Sequence, residues 1–418
     1  MLSIKNKFAL ALTLFLPLTY FMGIAIVNLI SFLIALIGII FLVDDVKIKK
    51  FQNNHFFLGF IIFCFFLFLS SIDSNHLSTS ITKSFGFSLY FLLLYAFIHL
   101  INLYKKVFFL YLFNILLIVI LFLFLFTLYE LFFLKSDIFK NQFTSIFDDK
   151  VLGIFIVKIF FLTIGLLYHL KNNFNKFIFN IFFSLIFFSS FFMVILSQHR
   201  TSFILLNLGI FILFLSDKSH IKLYFYNFLF ILFLLILTNI FMNNIIFEKY
   251  FINIFNSFIN NNGIFIFSDH YTGHYISSLK MFISNPLTGI GTNLFRYECS
   301  NDEYIYIYKT IIDWEGLKIP QNSCSTHSHN FYIQILAENG IFNFIILTSL
   351  FCSVCLKLFK IIRLNIVDKN YLYFTCLLSV FLILFPFAPT LNFFNSWANT
   401  LNFLIISFLL SNLKDQSH

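Results

Sequence analysis

Apolar residues run along this chain in long blocks separated by short polar tufts. The blocks cover residues 8–22, 24–43, 56–72, 85–101, 107–133, 151–169, 177–196, 201–216, 223–242, 330–356, 371–388 and 397–412. Each approaches the roughly 20 helical residues that cross about 30 Å of hydrocarbon. A helix satisfies its own backbone N–H and C=O groups, which a bilayer interior demands. The pattern therefore predicts an all-α integral membrane protein with about 12 transmembrane helices. The rhythm breaks once, where residues 243–329 hold no comparable block. Three regions follow: helices over 1–242, a large loop over 243–329, and further helices over 330–418. Long loops in compact proteins usually carry function. Within this one, the stretches 263–267 and 274–283 predict short helices.

Composition points the same way. Of the 418 residues, 60% are hydrophobic and 11% charged, with a mean hydropathy of +0.92. Soluble domains carry about twice that charged fraction. The 69 phenylalanines and the preference for lysine over arginine read as coding drift, so no single Phe is assigned a role. A net charge of +9 would suggest a nucleic-acid partner only if it gathered on one soluble face. Instead the lysines sit in tufts such as Lys47–Lys49–Lys50, Lys105–Lys106, Lys171 with Lys176, and Lys357 with Lys360. The tufts fall in alternate short loops, as topology signals do. They place both termini in the cytoplasm and the long loop on the periplasmic side of a bacterial inner membrane. MLSIKNK leads into an apolar run without a small-residue cleavage site, so the first block is read as a retained helix.

Polar residues are scarce enough in such a chain to mark chemistry. Residues 324–340 read CSTHSHNFYIQILAENG, a polar stretch giving way to an apolar run. Ser328 is placed to cap a helix that opens with His329 and Asn330. From there Asn330, Gln334 and Glu338 share one face at i, i+4 and i+8. Polar groups at membrane depth face protein or water, not lipid. Asn330 and Gln334 also read as hydrogen-bonding glue between helices. His329 stands at the border, where an imidazole with an ordinary pKa of about 6.5 can take a hydroxyl proton near neutrality. His327 reads as its positioning neighbour.

Arg200 closes ILSQHR and is the only arginine before Arg296. A guanidinium offers a planar fork for two phosphate oxygens; the alternative is a long side chain snorkelling to the interface. In SNPLTGIGTNLFRYEC, residues 284–299, Pro286, Gly289 and Gly291 predict a tight turn after a helix ending near Ile283. No strand precedes this Gly-x-Gly, so a dinucleotide fold is not expected. Arg296 offers a second phosphate contact. Cys299 and Cys324 lie in the long loop, where an oxidising compartment would let them pair, worth about 3 kcal/mol in the chain-entropy picture. Cys352 and Cys355 fall inside an apolar block and read as core thiols. The loop histidines, His270 and His274 among them, could in principle hold zinc, but no C-x-x-C accompanies them in the loop. No metal and no cofactor are expected.

Taken together, SQHR at 197–200, then NPLTGIGTNLFR, then THSHNFYIQILAENG resemble the O-antigen ligase and O-antigen polymerase superfamily. Its hallmark of His-Asn, an apolar spacer and Glu-x-Gly stands here as His329-Asn330 with Glu338 and Gly340. The motifs span about residues 190 to 356. The resemblance implies a GT-C-like, metal-independent glycosyltransferase that moves a glycan from undecaprenyl pyrophosphate to an acceptor on the periplasmic face. It implies His329 as general base and Arg200 as the group that holds the pyrophosphate and stabilises it as it leaves. Ligases take the sugar core of lipid A as acceptor, polymerases another lipid-linked repeat, and relatives a protein hydroxyl. The chain departs from the family at SDHYTGHYISSLKMF, where a further arginine is usual. His274, Lys280 or Arg296 then stands in for it. A flippase is the competing class; it would need charged residues near the middle of several spans and broken helices in both halves. Lys158 and Glu338 are the main charges of that kind.

Overall fold

Buried in apolar surroundings, a peptide group must find its partner within its own segment, and the long blocks do so as helices. The computed structural model describes residues 4–47, 55–133, 145–147, 151–217, 220–241, 252, 269–312, 318–367 and 370–411. The helices are α1 (Ile4–Thr19, extended by a 3-10 turn over Tyr20–Met22), α2 (Ile24–Lys47), α3 (His55–Ile72) and α4 (Leu77–Phe133). They continue as α5 (Leu152–His169), α6 (Lys176–Leu196), α7 (Arg200–Ser216), α8 (Ile221–Phe241) and α9 (Asp269–Ser284). The chain ends with the short α10 (Phe295–Glu298), then α11 (Phe331–Arg363), α12 (Tyr371–Ile383) and α13 (Ser396–Leu410).

Among the described residues, six helices are long and apolar enough to cross a membrane: α2, α3, α4, α5, α6 and α11. The 57-residue α4 is two helical runs that meet at a break at Lys105, where φ is 32° and ψ −105°. Its two parts carry the apolar blocks 85–101 and 107–133. The expected short helix at 274–283 lies within α9, and 263–267 falls outside the described residues. One feature is new: β1 (Ile307–Ile312) and β2 (Lys318–Asn322) pair antiparallel, Ile311 opposite Ile319. Aromatic and β-branched residues in IYKTII suit a strand, but the run is too short to stand out against so apolar a chain.

The helices pack in alternating directions around α5, whose residues from Leu152 to Tyr168 are all buried except Ile154. It lies against α12, α6, α4 and α7. At one end of the bundle the Tyr20 hydroxyl donates to the Trp397 carbonyl at 2.9 Å and that of Tyr90 to Ser396 at 3.0 Å. At the other end the buried Asp217 carboxylate accepts from Tyr168 at 3.1 Å and faces His220 at 3.2 Å. Lys5 and Asp44 pair at that second end, and the basic loops at Lys105–Lys106, Lys171–Lys176 and Lys360–Arg363 gather there.

The feature that shapes the first end is a break in α11. Gly340 has φ 71° and ψ −170°, so the helical run over Phe331–Asn339 stops and a new one starts at Ile341. The orphaned carbonyls are taken up by the 284–295 turn. Ile290 N donates to Ala337 O at 3.1 Å, Gly291 N to Glu338 O at 2.9 Å, and Ile341 N returns to Pro286 O at 3.0 Å. Such close docking of backbone on backbone needs glycine on both sides. A Cβ on Gly289 would lie 2.4 Å from Glu338 C, and one on Gly340 2.1 Å from Leu287 O. The Gly-x-Gly expected as a turn is thus a latch for a broken helix.

Candidate functional site

The site lies over this latch. Asn330 caps α11: its backbone is extended, and its side-chain oxygen accepts from Tyr332 N at 3.0 Å and Ile333 N at 3.2 Å. This corrects the expected cap at Ser328 and a helix opening with His329. Ser328 is too far upstream to reach those amides, and its hydroxyl donates to Asn330 O instead. His329 precedes the helix in a left-handed conformation, φ 57°, a rare state for a residue with a Cβ. Its carbonyl accepts from Thr390 N at 2.8 Å, which holds the turn in place.

Three imidazoles converge there. The ring centroids of His327 and His329 are 4.0 Å apart, and those of His274 and His329 are 5.3 Å apart. Tyr271 of α9 stands 5.3 Å from His329, edge to face. His274, wholly buried, donates from Nδ1 to Ser323 O at 2.7 Å. His327 donates from Nε2 to the carbonyl of Thr390 at 3.2 Å, which leaves Nδ1 to accept from Thr326 Oγ1 at 2.9 Å. Burial holds the His327 imidazole down at about 4, aided by the charges of His274 and Arg296 and opposed by its bond to Thr390. His327 is therefore a neutral ring. His329 Nε2 lies 3.4 Å from Ser325 Oγ.

Arg200 opens α7 right after His199, whose Nδ1 accepts from Ser202 N at 3.2 Å and so caps the helix. The charge of the arginine is felt in the same cluster. Burial raises the Tyr271 phenol above its ordinary value, and the positive charge of Arg200 opposes that rise. Tyr271 thus has His329 on one side and Arg200 within electrostatic reach. Arg296 is close enough to His327 and Glu338 for its charge to be felt at both. Lys280 instead donates to Ile305 O at 3.0 Å, tying α9 to the segment before β1.

Below the histidines the polar stripe of α11 is a brace. Glu338, wholly buried, accepts from Asn293 N at 3.1 Å, Phe295 N at 3.0 Å and Gln334 Nε2 at 3.0 Å. Gln334 also donates to Asn392 at 3.1 Å and accepts from Phe393 N at 2.9 Å. Asn330 Nδ2 donates to Pro386 O at 2.7 Å. These three side chains thus bind the long-loop turn and the 385–395 connection to one short helix. Cys299 and Cys324 form a disulfide that joins α10 to the strand leading into His327. Among the described residues, no three His, Cys, Asp or Glu are placed to hold a metal ion; the side chain of His270 lies outside them.

Tyr271 and Asn392 are members that sequence reasoning did not single out. Asn392 sits in FPFAPTLNFFN, where Pro and Asn interrupt an otherwise apolar region, a usable signal. Tyr271 gave none, since its role depends on how α9 lies against α11.

The fold and the cluster define a polytopic, helical membrane protein with a polar site at one end of its bundle. Residues 185–348 match the family model described as O-Antigen ligase. The match supports the resemblance to the O-antigen ligase and polymerase superfamily, and the matched segment contains Arg200, the latch, the histidine cluster and Glu338. No curated protein matches the chain significantly.

Proposed function

We propose that this protein transfers a glycan from an undecaprenyl pyrophosphate-linked donor to an acceptor hydroxyl, with the sugar core of lipid A as the favoured acceptor. The acceptor oxygen attacks the anomeric carbon and His329 takes its proton. The glycosyl–phosphate bond breaks, and Arg200 balances the charge left on the pyrophosphate. The observation that carries this reading is that Tyr271, packed on the His329 ring, also feels the charge of Arg200. A base and a fixed cation close to one another are what displacement of an anionic leaving group asks for. His274 and Arg296 supply the charge that the missing family arginine would bring, and no metal enters the scheme.

Twelve spans, with α1, α7, α12 and α13 as short members, fit the alternating helix directions. The basic loops at the end opposite the site support cytoplasmic termini and a periplasmic site within the 243–329 loop. The long-loop region, 243–329, then separates the two helical regions, 1–242 and 330–418.

The test is His329→Ala, expected to lower transfer by roughly 10²–10⁴-fold while the protein still inserts and accumulates. Full activity in that variant removes His329 from the mechanism. A polymerase joining lipid-linked repeats is the alternative, separated by lipopolysaccharide banding of a deletion strain. Loss of every long-chain band with surviving lipid-linked polymer means ligase, and a single repeat on the core means polymerase. A flippase is less supported: the interruptions at Lys105 and Gly340 lie towards opposite ends of the bundle rather than at matching places in two halves.

A further inference from the structure

The helix most enclosed by protein carries a cation that the mechanism above does not use. Lys158 of α5 is 7% exposed, and among the described residues it forms no ion pair. It lines a cavity of about 50 Å³ between α5, α7, α12 and the 388–391 segment. Ser379 and Thr390 line the same space, and the hydroxyl oxygen of each is buried without a hydrogen-bond partner. Ser379 is only 2% exposed.

A buried ammonium without a counter-ion is strongly unfavourable, and ionisable residues at membrane depth mark functional sites. Unpartnered buried hydroxyls add to the deficit. One occupant removes all three faults: an anion that accepts from the lysine and from both hydroxyls. Apart from Thr201 and Ser202 at the α7 end, the rest of the wall, Ile154, Val157, Leu205 and Leu382 among it, is hydrocarbon, so the group bearing the anion is largely apolar on its other side.

The cavity adjoins the histidine cluster. Thr201, beside Arg200, is part of its lining. Thr390 donates its amide to His329 O at 2.8 Å and accepts from His327 Nε2 at 3.2 Å.

We propose that Lys158, Ser379 and Thr390 form a second anion subsite that holds a phosphate group attached to a hydrocarbon chain. This rests on the donor assigned above, and it gives that donor two cations: Arg200 toward the glycan and Lys158 toward the lipid. Lys158 is a binding residue here, and the bond-breaking step is unchanged.

The experiment measures equilibrium binding of undecaprenyl pyrophosphate, undecaprenyl phosphate and inorganic pyrophosphate to the full-length protein in nanodiscs. Wild type is compared with Lys158→Met and Ser379→Ala. Loss of a charge-assisted hydrogen bond predicts roughly 10- to 100-fold weaker binding of both lipid ligands to Lys158→Met. Ser379→Ala should show a smaller loss in the same direction. Melting of ligand-free Lys158→Met should match or exceed that of wild type, because an unpaired buried charge is gone. Wild-type binding that Lys158→Met retains in full overturns the subsite alone. Failure of wild type to bind any of the lipids overturns the donor assignment as well. Equal affinity for inorganic pyrophosphate overturns the hydrocarbon part, leaving a free phosphate as the occupant. A Lys158→Met protein that melts earlier or fails to accumulate makes the lysine structural and also overturns the proposal.

Discussion

Gly340→Ala tests the link between the broken helix and the site. The backbone at φ 71° and ψ −170° belongs to glycine alone, so a side chain there costs about 1–3 kcal/mol in strain. The added Cβ would sit 2.1 Å from Leu287 O, 2.4 Å from Leu287 C and 2.9 Å from Thr288 N. All three are backbone atoms, so no rotamer change relieves the clash and the turn must withdraw. Withdrawal breaks Ile341 N to Pro286 O, Ile290 N to Ala337 O and Gly291 N to Glu338 O. At about 0.5–1.5 kcal/mol each, these losses and the strain together come to roughly 3–7 kcal/mol. The turn also carries Asn293 and Phe295, whose amides Glu338 holds, so the histidine cluster loses its floor and activity falls with stability. The assay is thermal unfolding in detergent beside glycan transfer in membranes. Gly86→Ala is the control: no atom lies within 4 Å of its new Cβ, and helix propensity favours alanine by up to about 1 kcal/mol. If Gly340→Ala melts and transfers like wild type while the control behaves as stated, the latch has no role in shaping the site.

Further predictions concern the same end of the molecule. His327 is held down at about 4 by burial, whereas an unfolded imidazole takes a proton below about 6.5. Stability therefore falls as pH drops from 6.5 toward 4, by about 2–3 kcal/mol from this group; in His327→Gln the slope of melting temperature over that window should flatten. Glu338→Gln puts an amide N–H where Asn293, Phe295 and Gln334 already donate, and should cost about 1–3 kcal/mol, seen as earlier melting and reduced transfer. Removing the bridge with Cys299→Ser and Cys324→Ser frees a 25-residue segment and should cost about 3 kcal/mol. Dithiothreitol should then lower the melting temperature of wild type but not of the double variant. A wild type indifferent to reduction would show that the bridge does not support the fold.

The sequence by itself settled the helices. Apolar blocks of near-constant length leave a chain in hydrocarbon little choice, because only helices close their own hydrogen bonds there. All twelve blocks fall on helices, although α4 shows that a two-residue basic tuft can interrupt a helix without opening a loop. Residue types also flagged Arg200, His329, the glycine turn and Glu338, since polar groups are rare enough in this chain to stand out. Sequence could not assign partners. Asn330 rather than Ser328 caps α11 because the cap depends on one residue's φ and ψ. Gly289 and Gly340 are needed for each other, across a contact between segments some fifty residues apart. Tyr271 joins Arg200 to His329 only through the lie of α9, and Lys158 became informative only when Ser379 and Thr390 were found unpaired beside it. Periodicity is a local property that each segment carries alone. Complementarity between distant segments is not, and it exists only once the bundle has packed.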